Sequence, residues 1–292
     1  MELIFYNYLK KTIESLYLLV ENFKKGSSFK EALQNVFAAS VIVIAFIVSY
    51  LLFVNVMGNP VNFEGGNPKG HALQGNYLGI IYKGGYIVPI LMTCVLTLII
   101  FVIERLITLS RAKGKGRLNE FVVKLQNLLE QDKIEEAIEA CDKQRGSLAN
   151  VMKAGLSRYR DLQRDPELEK DQKILSIQKA FEEATALELP MLSKNMVIFS
   201  TLASVSVLIG LIGTVLGMIR AFAALAQSGA PDALALSQGI SEALVNTAFG
   251  ITGSTLSILA FNFFTTTIDS YTFKIDEAGF SLTQNFAASL KK

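Results

Sequence analysis

The chain has 292 residues, of which 51% are hydrophobic, and its formal net charge at pH 7 is only +2. The charge is segregated, because residues 105–194 hold 32 of the 54 Asp, Glu, Lys and Arg side chains between long uncharged runs. This pattern excludes an ordinary soluble domain and predicts an all-α membrane protein with one large aqueous domain. The small net charge argues against a nucleic-acid partner.

Residues 1–35 begin the chain with an amphipathic pattern. Apolar residues recur there at helical spacing, with Lys10, Lys11 and Glu14 between them. A helix lying at the inner membrane face explains this pattern. A helix packed against the protein's own cytoplasmic domain explains it equally well.

Four apolar stretches are long enough to cross a hydrocarbon core about 30 Å thick as helices. They are residues 36–57, 87–104, 196–226 and 236–268. The last two exceed the core thickness, so we expect these two long helices to tilt or to extend into the cytoplasm. Between and after the spans we place an outer loop at 58–86, a helical cytoplasmic domain at 105–195, an outer turn at 227–235 and a C-terminal helix at 269–292.

Positive charge orients these spans. Five lysines precede the first span, and five Lys or Arg residues lie between 105 and 117, just after the second. The loop 58–86 has only Lys69 and Lys83, and the turn around Pro231 has neither Lys nor Arg. The positive-inside rule then puts both termini and the charged domain in the cytoplasm and both short connections in the periplasm.

The cytoplasmic domain gives no sign of enzyme chemistry. Its apolar residues repeat at three and four positions, and its charges alternate in sign, which is typical of solvated helices. It has no metal-ligand spacing, phosphate-binding loop or nucleophile–base pair, so we expect no cofactor, no metal and no catalysis. The only histidine, His71, is interpreted as a solvated loop residue, and Cys94 and Cys141 fit a reduced compartment.

Small residues occupy one face of the third span. At about 100° per residue, this face collects Ala203, Ser206, Gly210, Gly213, Thr214, Gly217, Ala221 and Ala224. Gly213 and Gly217 form a GxxxG step, which allows helix backbones to approach closely in lipid. Close packing does not explain Thr214, since alanine would pack as well.

The fourth span has a similar face with a carboxylate on it. The face contains Gly239, Glu242, Asn246, Thr247, Gly250, Gly253, Ser254 and Ser257. A carboxylate at membrane depth costs about 2.5 kcal/mol or more, so Glu242 should meet a partner or a water-filled cavity. A position near the hydrated outer interface is the alternative.

Distance from the predicted hairpin tip at Pro231 sets the depth of these side chains. Arg220 and Glu242 each lie eleven residues from Pro231, and Thr214 and Thr247 lie seventeen and sixteen residues from it. Because a helix rises about 1.5 Å per residue, we predict a charged layer and, deeper, a hydroxyl layer. An ion pair of Arg220 with Glu242, within one subunit or between neighbours, is a hypothesis that follows from this register.

The two layers can line a narrow polar path, but they lack a proton carrier at the threonine level. Threonine does not titrate, so a carboxylate would have to come from another polypeptide, most simply an aspartate on a partner helix. A proton moving through 100 mV releases about 2.3 kcal/mol, which is enough to bias a conformational step.

The stretches "GLIGTVLGMIRAF" and "GISEALVNTAFGI" resemble the paired signature of the ExbB/TolQ/MotA proton-channel family, closest to its ExbB/TolQ branch. "KAGLSR" and "EEATALELPMLSKNM" in the cytoplasmic region add to the resemblance. It implies a homopentamer in the bacterial inner membrane around an ExbD- or TolR-like single-span protein. Proton flow would then move a TonB- or TolA-like protein, for outer-membrane transport or envelope maintenance.

The resemblance also implies roles for individual residues. Thr214 and Thr247 would line the proton route opposite the partner's aspartate, and Glu242 corresponds to the family's glutamate in this span. The packing glycines of the ring are Gly210, Gly213, Gly217 and Gly250. The chain departs from the usual three-span pattern by its first span and outer loop, and Val207 replaces a common proline.

Three other functions stay open on the sequence. A stator of a flagellar or gliding motor belongs to the same class. A solute carrier should show repeated halves and broken helices, and we find neither in the sequence. A structural scaffold explains the glycines but leaves Glu242, Thr214 and Thr247 without a role. The family resemblance favours the proton over sodium.

Overall fold

The computed structural model describes residues 29–68, 70–163, 168–226 and 233–289. The α-helices within these residues are α1 (Phe29–Leu52), α2 (Tyr77–Tyr82), α3 (Ile87–Lys113), α4 (Leu118–Glu130), α5 (Ile134–Gln144), α6 (Ser147–Gln163), α7 (Lys170–Ser193), α8 (Met196–Leu225) and α9 (Ala233–Ser289). Four helical stretches are long and apolar enough to cross a membrane, and the described residues contain no named β-strand. The prediction of an all-α membrane protein with four spans is confirmed.

Two predicted segment ends differ from the helices observed. The second span was predicted to end at residue 104, and a C-terminal helix was predicted at 269–292; the helices themselves are longer, because α3 continues to Lys113 and α9 runs unbroken to Ser289. No glycine or proline lies between Gly253 and Gly279, so nothing in the backbone stops α9 at the end of its apolar run. Residues 1–28, which make up most of the predicted N-terminal segment, lie outside the described residues, and so does the turn at Pro231.

The chain divides into two compact units. The span unit comprises residues 1–100 and 205–253, and the helical-domain unit comprises residues 101–204 and 254–292. Three helices, α3, α8 and α9, contribute residues to both units.

The outer loop of the span unit folds back on the end of the first span. A π-helical turn, Phe53–Met57, follows α1. The buried Asn62 donates hydrogen bonds to the carbonyl oxygens of Val56 (2.8 Å) and Met57 (2.9 Å) and accepts one from Asn76 (3.0 Å). These bonds satisfy a buried amide and connect residues on both sides of the loop.

The helical-domain unit has a conventional apolar core. Its largest buried side chains come from α4, α6, α7 and the last part of α9, and include Leu125, Met152, Leu156, Ile177, Phe181, Leu282 and Phe286. Tyr159 stacks on Phe286 with 4.1 Å between ring centroids. Burial of Cys141 in this core raises the pKa of its thiol to about 12 because the charged thiolate loses its hydration.

Arg105 is buried in the same unit. The guanidinium pairs with Glu104 (2.7 Å), and its Nη1 donates to the carbonyl oxygen of Leu192 (3.1 Å). The sequence analysis used Arg105 only as a topology signal. Its side chain is 1% exposed, and these partners satisfy a charge that would otherwise be expensive to bury.

Candidate functional site

The small faces of α8 and α9 lie against each other inside the span unit. A Cβ atom added to Gly217 would lie 2.7 Å from the backbone nitrogen of Ala243 and 2.8 Å from the carbonyl oxygen of Gly239. A Cβ on Gly210 would lie 3.0 Å from the Cα of Gly250. Any side chain at these positions would therefore push the two backbones apart, which is the close approach that small residues permit between helices in lipid.

The hydroxyl layer lies between these glycine contacts. The Oγ1 atoms of Thr214 and Thr247 are hydrogen-bonded to each other across the two helices. Each hydroxyl also lies 3.1 Å from a carbonyl oxygen one turn earlier in its own helix, that of Gly210 for Thr214 and that of Ala243 for Thr247. Both side chains are half-buried, so this layer is a polar contact with a remaining open side.

The charged layer lies on the same two helices. Arg220 Nη1 contacts both carboxylate oxygens of Glu242, at 2.6 Å from Oε2. The Glu242 side chain is only 9% exposed, whereas that of Arg220 is 50% exposed. The buried carboxylate of Glu242 therefore pairs with a guanidinium group of its own chain. The other side of that guanidinium group remains exposed.

The outer loop supplies contacts that the sequence did not predict. Gly84 and Gly85, just before α3, lie next to the charged layer: Asn246 Nδ2 donates to the carbonyl oxygen of Gly84 (2.9 Å), and Gly85 adjoins the Glu242 carboxylate. The sequence placed Asn246 on the small face but gave it no role. The sequence feature that could have indicated this contact is the pair of adjacent glycines, Gly84 and Gly85, at the end of the outer loop.

The structure thus brings together Thr214 with Thr247, Arg220 with Glu242, and the predicted glycines with residues of the facing helix. Such an arrangement places a pair of hydroxyl groups and an ion pair between two otherwise largely apolar helices. Among the residues that the structure describes, no group of three or more His, Cys, Asp and Glu side chains could hold a metal ion.

These features define the class as a multi-span helical membrane protein with polar layers between two closely packed spans. Residues 143–277, which contain both layers, match the MotA/TolQ/ExbB proton channel family. The match covers slightly less than half of the chain, and the relatives to which the chain is similar include ExbB and TolQ proteins.

An ExbB-like 3 biopolymer transport protein of Synechocystis is 41% identical over 87 residues, which are 29% of this chain and 41% of the relative. The Tol-Pal system protein TolQ of Pseudomonas aeruginosa is 28% identical over 114 residues, 39% of this chain and 49% of the relative. The biopolymer transport protein ExbB of Helicobacter pylori is 37% identical over 84 residues, 29% of this chain and 57% of the relative. The chain therefore spans about half the length of these relatives.

Proposed function

We propose that the chain is the ring-forming subunit of an inner-membrane proton channel that converts proton-motive force into mechanical work. The observation that carries the proposal is the pair of contacts between α8 and α9: Thr214 with Thr247 and Arg220 with Glu242. Both lie in the region that matches a proton channel family. Polar and charged groups at membrane depth are expensive to bury and mark ion pathways.

The titrating group of this channel comes from a partner in the proposal. The threonine hydroxyls can donate and accept hydrogen bonds but do not ionise near neutral pH. An aspartate on the single membrane helix of an ExbD- or TolR-like protein would take and release the proton opposite Thr214 and Thr247. Each proton that crosses 100 mV releases about 2.3 kcal/mol, which drives the partner's movement.

Five copies of the chain form the ring in this proposal, with the open side of each hydroxyl layer towards the partner helix. The opposite side of α8 is exposed and apolar in the single chain, with Leu208, Leu211, Ile212, Val215, Ile219 and Phe222. Such a surface suits lipid or a neighbouring copy. A TonB- or TolA-like protein receives the movement, and both termini of the chain lie in the cytoplasm.

Native mass spectrometry of the protein, produced with and without the products of neighbouring genes, tests this assembly. The expected result is a five-subunit ring that binds a single-span protein with an aspartate in its span. The preparation without those products is the control and should give the ring alone. A monomer or dimer that ignores such a protein would contradict the proposal and reopen the solute carrier as a function.

A further inference from the structure

The turn before α3 covers the carboxylate of Glu242. Gly85 has a φ of +72°, and a Cβ atom built on it would lie 2.5 Å from Glu242 Oε1 and 3.6 Å from Arg220 Nη1. The backbone of Gly85 therefore rests directly on the ion pair. Glycine satisfies both requirements at this position, because it adopts positive φ without strain and leaves room for the carboxylate.

Asn246 holds this turn in place from the fourth span. It follows Glu242 by four residues, so both side chains project from the same face of α9. Its Nδ2 donates to the carbonyl oxygen of Gly84 at 2.9 Å, while its buried Oδ1 has no hydrogen-bond partner within the described ranges. Within the part of the chain that the structure describes, the contact with Gly84 is therefore the one hydrogen bond that this fully buried side chain makes.

Tyr82 connects this turn to the end of the first span and to an earlier part of the outer loop. Tyr82, two residues before Gly84, stacks on Phe53 with 4.7 Å between ring centroids and meets the edge of Phe63 at 5.3 Å. In the same cluster, Val245 of α9 packs against buried side chains at the end of the first span and the start of α3. The end of the first span and its loop thus pack against the helix that carries Glu242.

The charged side chains near Glu242 belong to α8 and to the outer loop. Arg220 of α8 is the charged group that contacts it, and Gly85 of the turn is uncharged. Lys83 lies near in sequence, but its Nζ donates to the carbonyl oxygen of Pro68 (2.9 Å) and sits over the ring of Phe63. The Glu242 side chain, which is only 9% exposed, therefore has the turn on one side and the half-exposed Arg220 on another.

We propose that Gly85 and Asn246 are positioning residues that hold the outer loop as a cover over Glu242 and so limit the access of water and ions to this carboxylate. The consequence for proton passage rests on the proposed function. The cover itself rests only on the contacts of the span unit.

Carbodiimide labelling of the full-length protein tests the cover. A water-soluble carbodiimide with an amine nucleophile converts accessible carboxyl groups to amides, and peptide mass spectrometry gives the labelled fraction of Glu242. The fraction is normalised to Glu64, an exposed carboxylate of the same outer loop. In Gly85→Ala we expect Glu242 to be labelled several-fold faster than in the unsubstituted protein, because the added Cβ displaces the turn from the carboxylate.

The chain provides a matched control in Gly75→Ala. Gly75 lies in the same loop with a φ of +77°, but a Cβ atom on it would have no atom within 4 Å. This variant imposes similar backbone strain without touching Glu242, so its labelling should match that of the unsubstituted protein. Equal labelling of Glu242 in the two glycine variants would overturn the proposal.

Asn246→Ala provides the second variant, which removes the hydrogen bond to Gly84 and adds no strain. We expect faster labelling of Glu242 here too, and unchanged labelling would contradict the positioning role even if Gly85→Ala fails to fold. Labelling does not depend on proton flux. If the labelling of Glu242 changes as expected but the protein and its partner conduct no protons, the inference about the cover stands and the proposed function is wrong.

Discussion

The contact between α8 and α9 and the core of the helical-domain unit use glycine for opposite purposes. At Gly217 the missing side chain lets two backbones touch. At Gly155 it makes room for the ring of Phe181, which is itself buried among large apolar side chains. In water, removal of large apolar surface stabilises a core. In lipid that driving force is absent, so close backbone packing and polar contacts hold helices together.

This difference predicts which substitutions each region tolerates. The helical-domain core should be sensitive to loss of side-chain volume, and the α8–α9 contact should be sensitive to its gain. The polar pairs should matter in the span unit, because they lie directly between the two closely packed helices.

The largest effect is expected from Phe181→Ala in the helical-domain core. Phe181 is 5% exposed, and removal of a buried aromatic ring costs about 3–5 kcal/mol of the free energy of unfolding. Denaturant titration of the full-length protein in detergent gives this value. Leu175→Ala, on the same helix but 66% exposed, is the control and should change stability by less than about 0.5 kcal/mol. Equal losses would contradict the core described here.

A smaller loss is expected when volume is added between α8 and α9. Gly217→Ala places a methyl group against backbone atoms of the facing helix and should cost about 1–3 kcal/mol. Gly253→Ala adds the same group where the nearest atoms are side-chain atoms at 3.3 Å or more, so it should cost less than about 0.5 kcal/mol. Thermal melting in detergent compares the two. A greater loss for Gly253→Ala would show that backbone contact is not what limits this interface.

The charged layer should show coupling of about 0.5–2 kcal/mol in a double-mutant cycle. The variants are Arg220→Gln, Glu242→Gln and the double substitution, with the free energy of unfolding as the measurement. Half-exposure of Arg220 keeps the expected value low because solvent screens the pair. Additive losses, or a charge exchange of the two residues that fails to rescue the single variants, would mean that the contact contributes nothing to stability.

The smallest effect concerns pH and Cys141. Because burial raises its pKa to about 12, the folded state keeps the thiol protonated while the unfolded chain loses the proton near pH 8.5. The contribution of the protonated Cys141 thiol to the free energy of unfolding is therefore complete below pH 8.5 and declines as the pH rises towards 12. At pH 9 the loss is less than about 1 kcal/mol. Stability profiles of the unsubstituted protein and Cys141→Ala should diverge in this direction. Parallel profiles would show that the thiol is not buried in the core.

Much of the span unit follows from helix geometry. A constant rise per residue placed Arg220 level with Glu242 and Thr214 level with Thr247, and the structure brings both pairs into contact. The same regularity predicted which faces of α8 and α9 carry the small residues. Periodicity and rise are local properties, so one sequence is enough to apply them.

Other contacts depend on tertiary packing and were not predictable. Gly85 meets Glu242 across more than 150 residues of sequence, and no local pattern marks that contact. Arg105 looked like an interfacial positive charge, yet it is buried against Glu104 and the Leu192 carbonyl group. In both cases the position is decided by how a loop or helix end packs, which hydropathy does not encode.

Proton flux through Thr247→Val tests the central claim most directly. The protein and its single-span partner are reconstituted in liposomes, and flux is measured with a pH-sensitive dye under an imposed potential. Thr252→Val is the matched control, because Thr252 also donates to a carbonyl oxygen one turn earlier but is exposed and outside the hydroxyl pair. We predict that Thr247→Val abolishes most of the flux and that Thr252→Val retains it. Full flux in Thr247→Val would contradict a proton route through the hydroxyl layer.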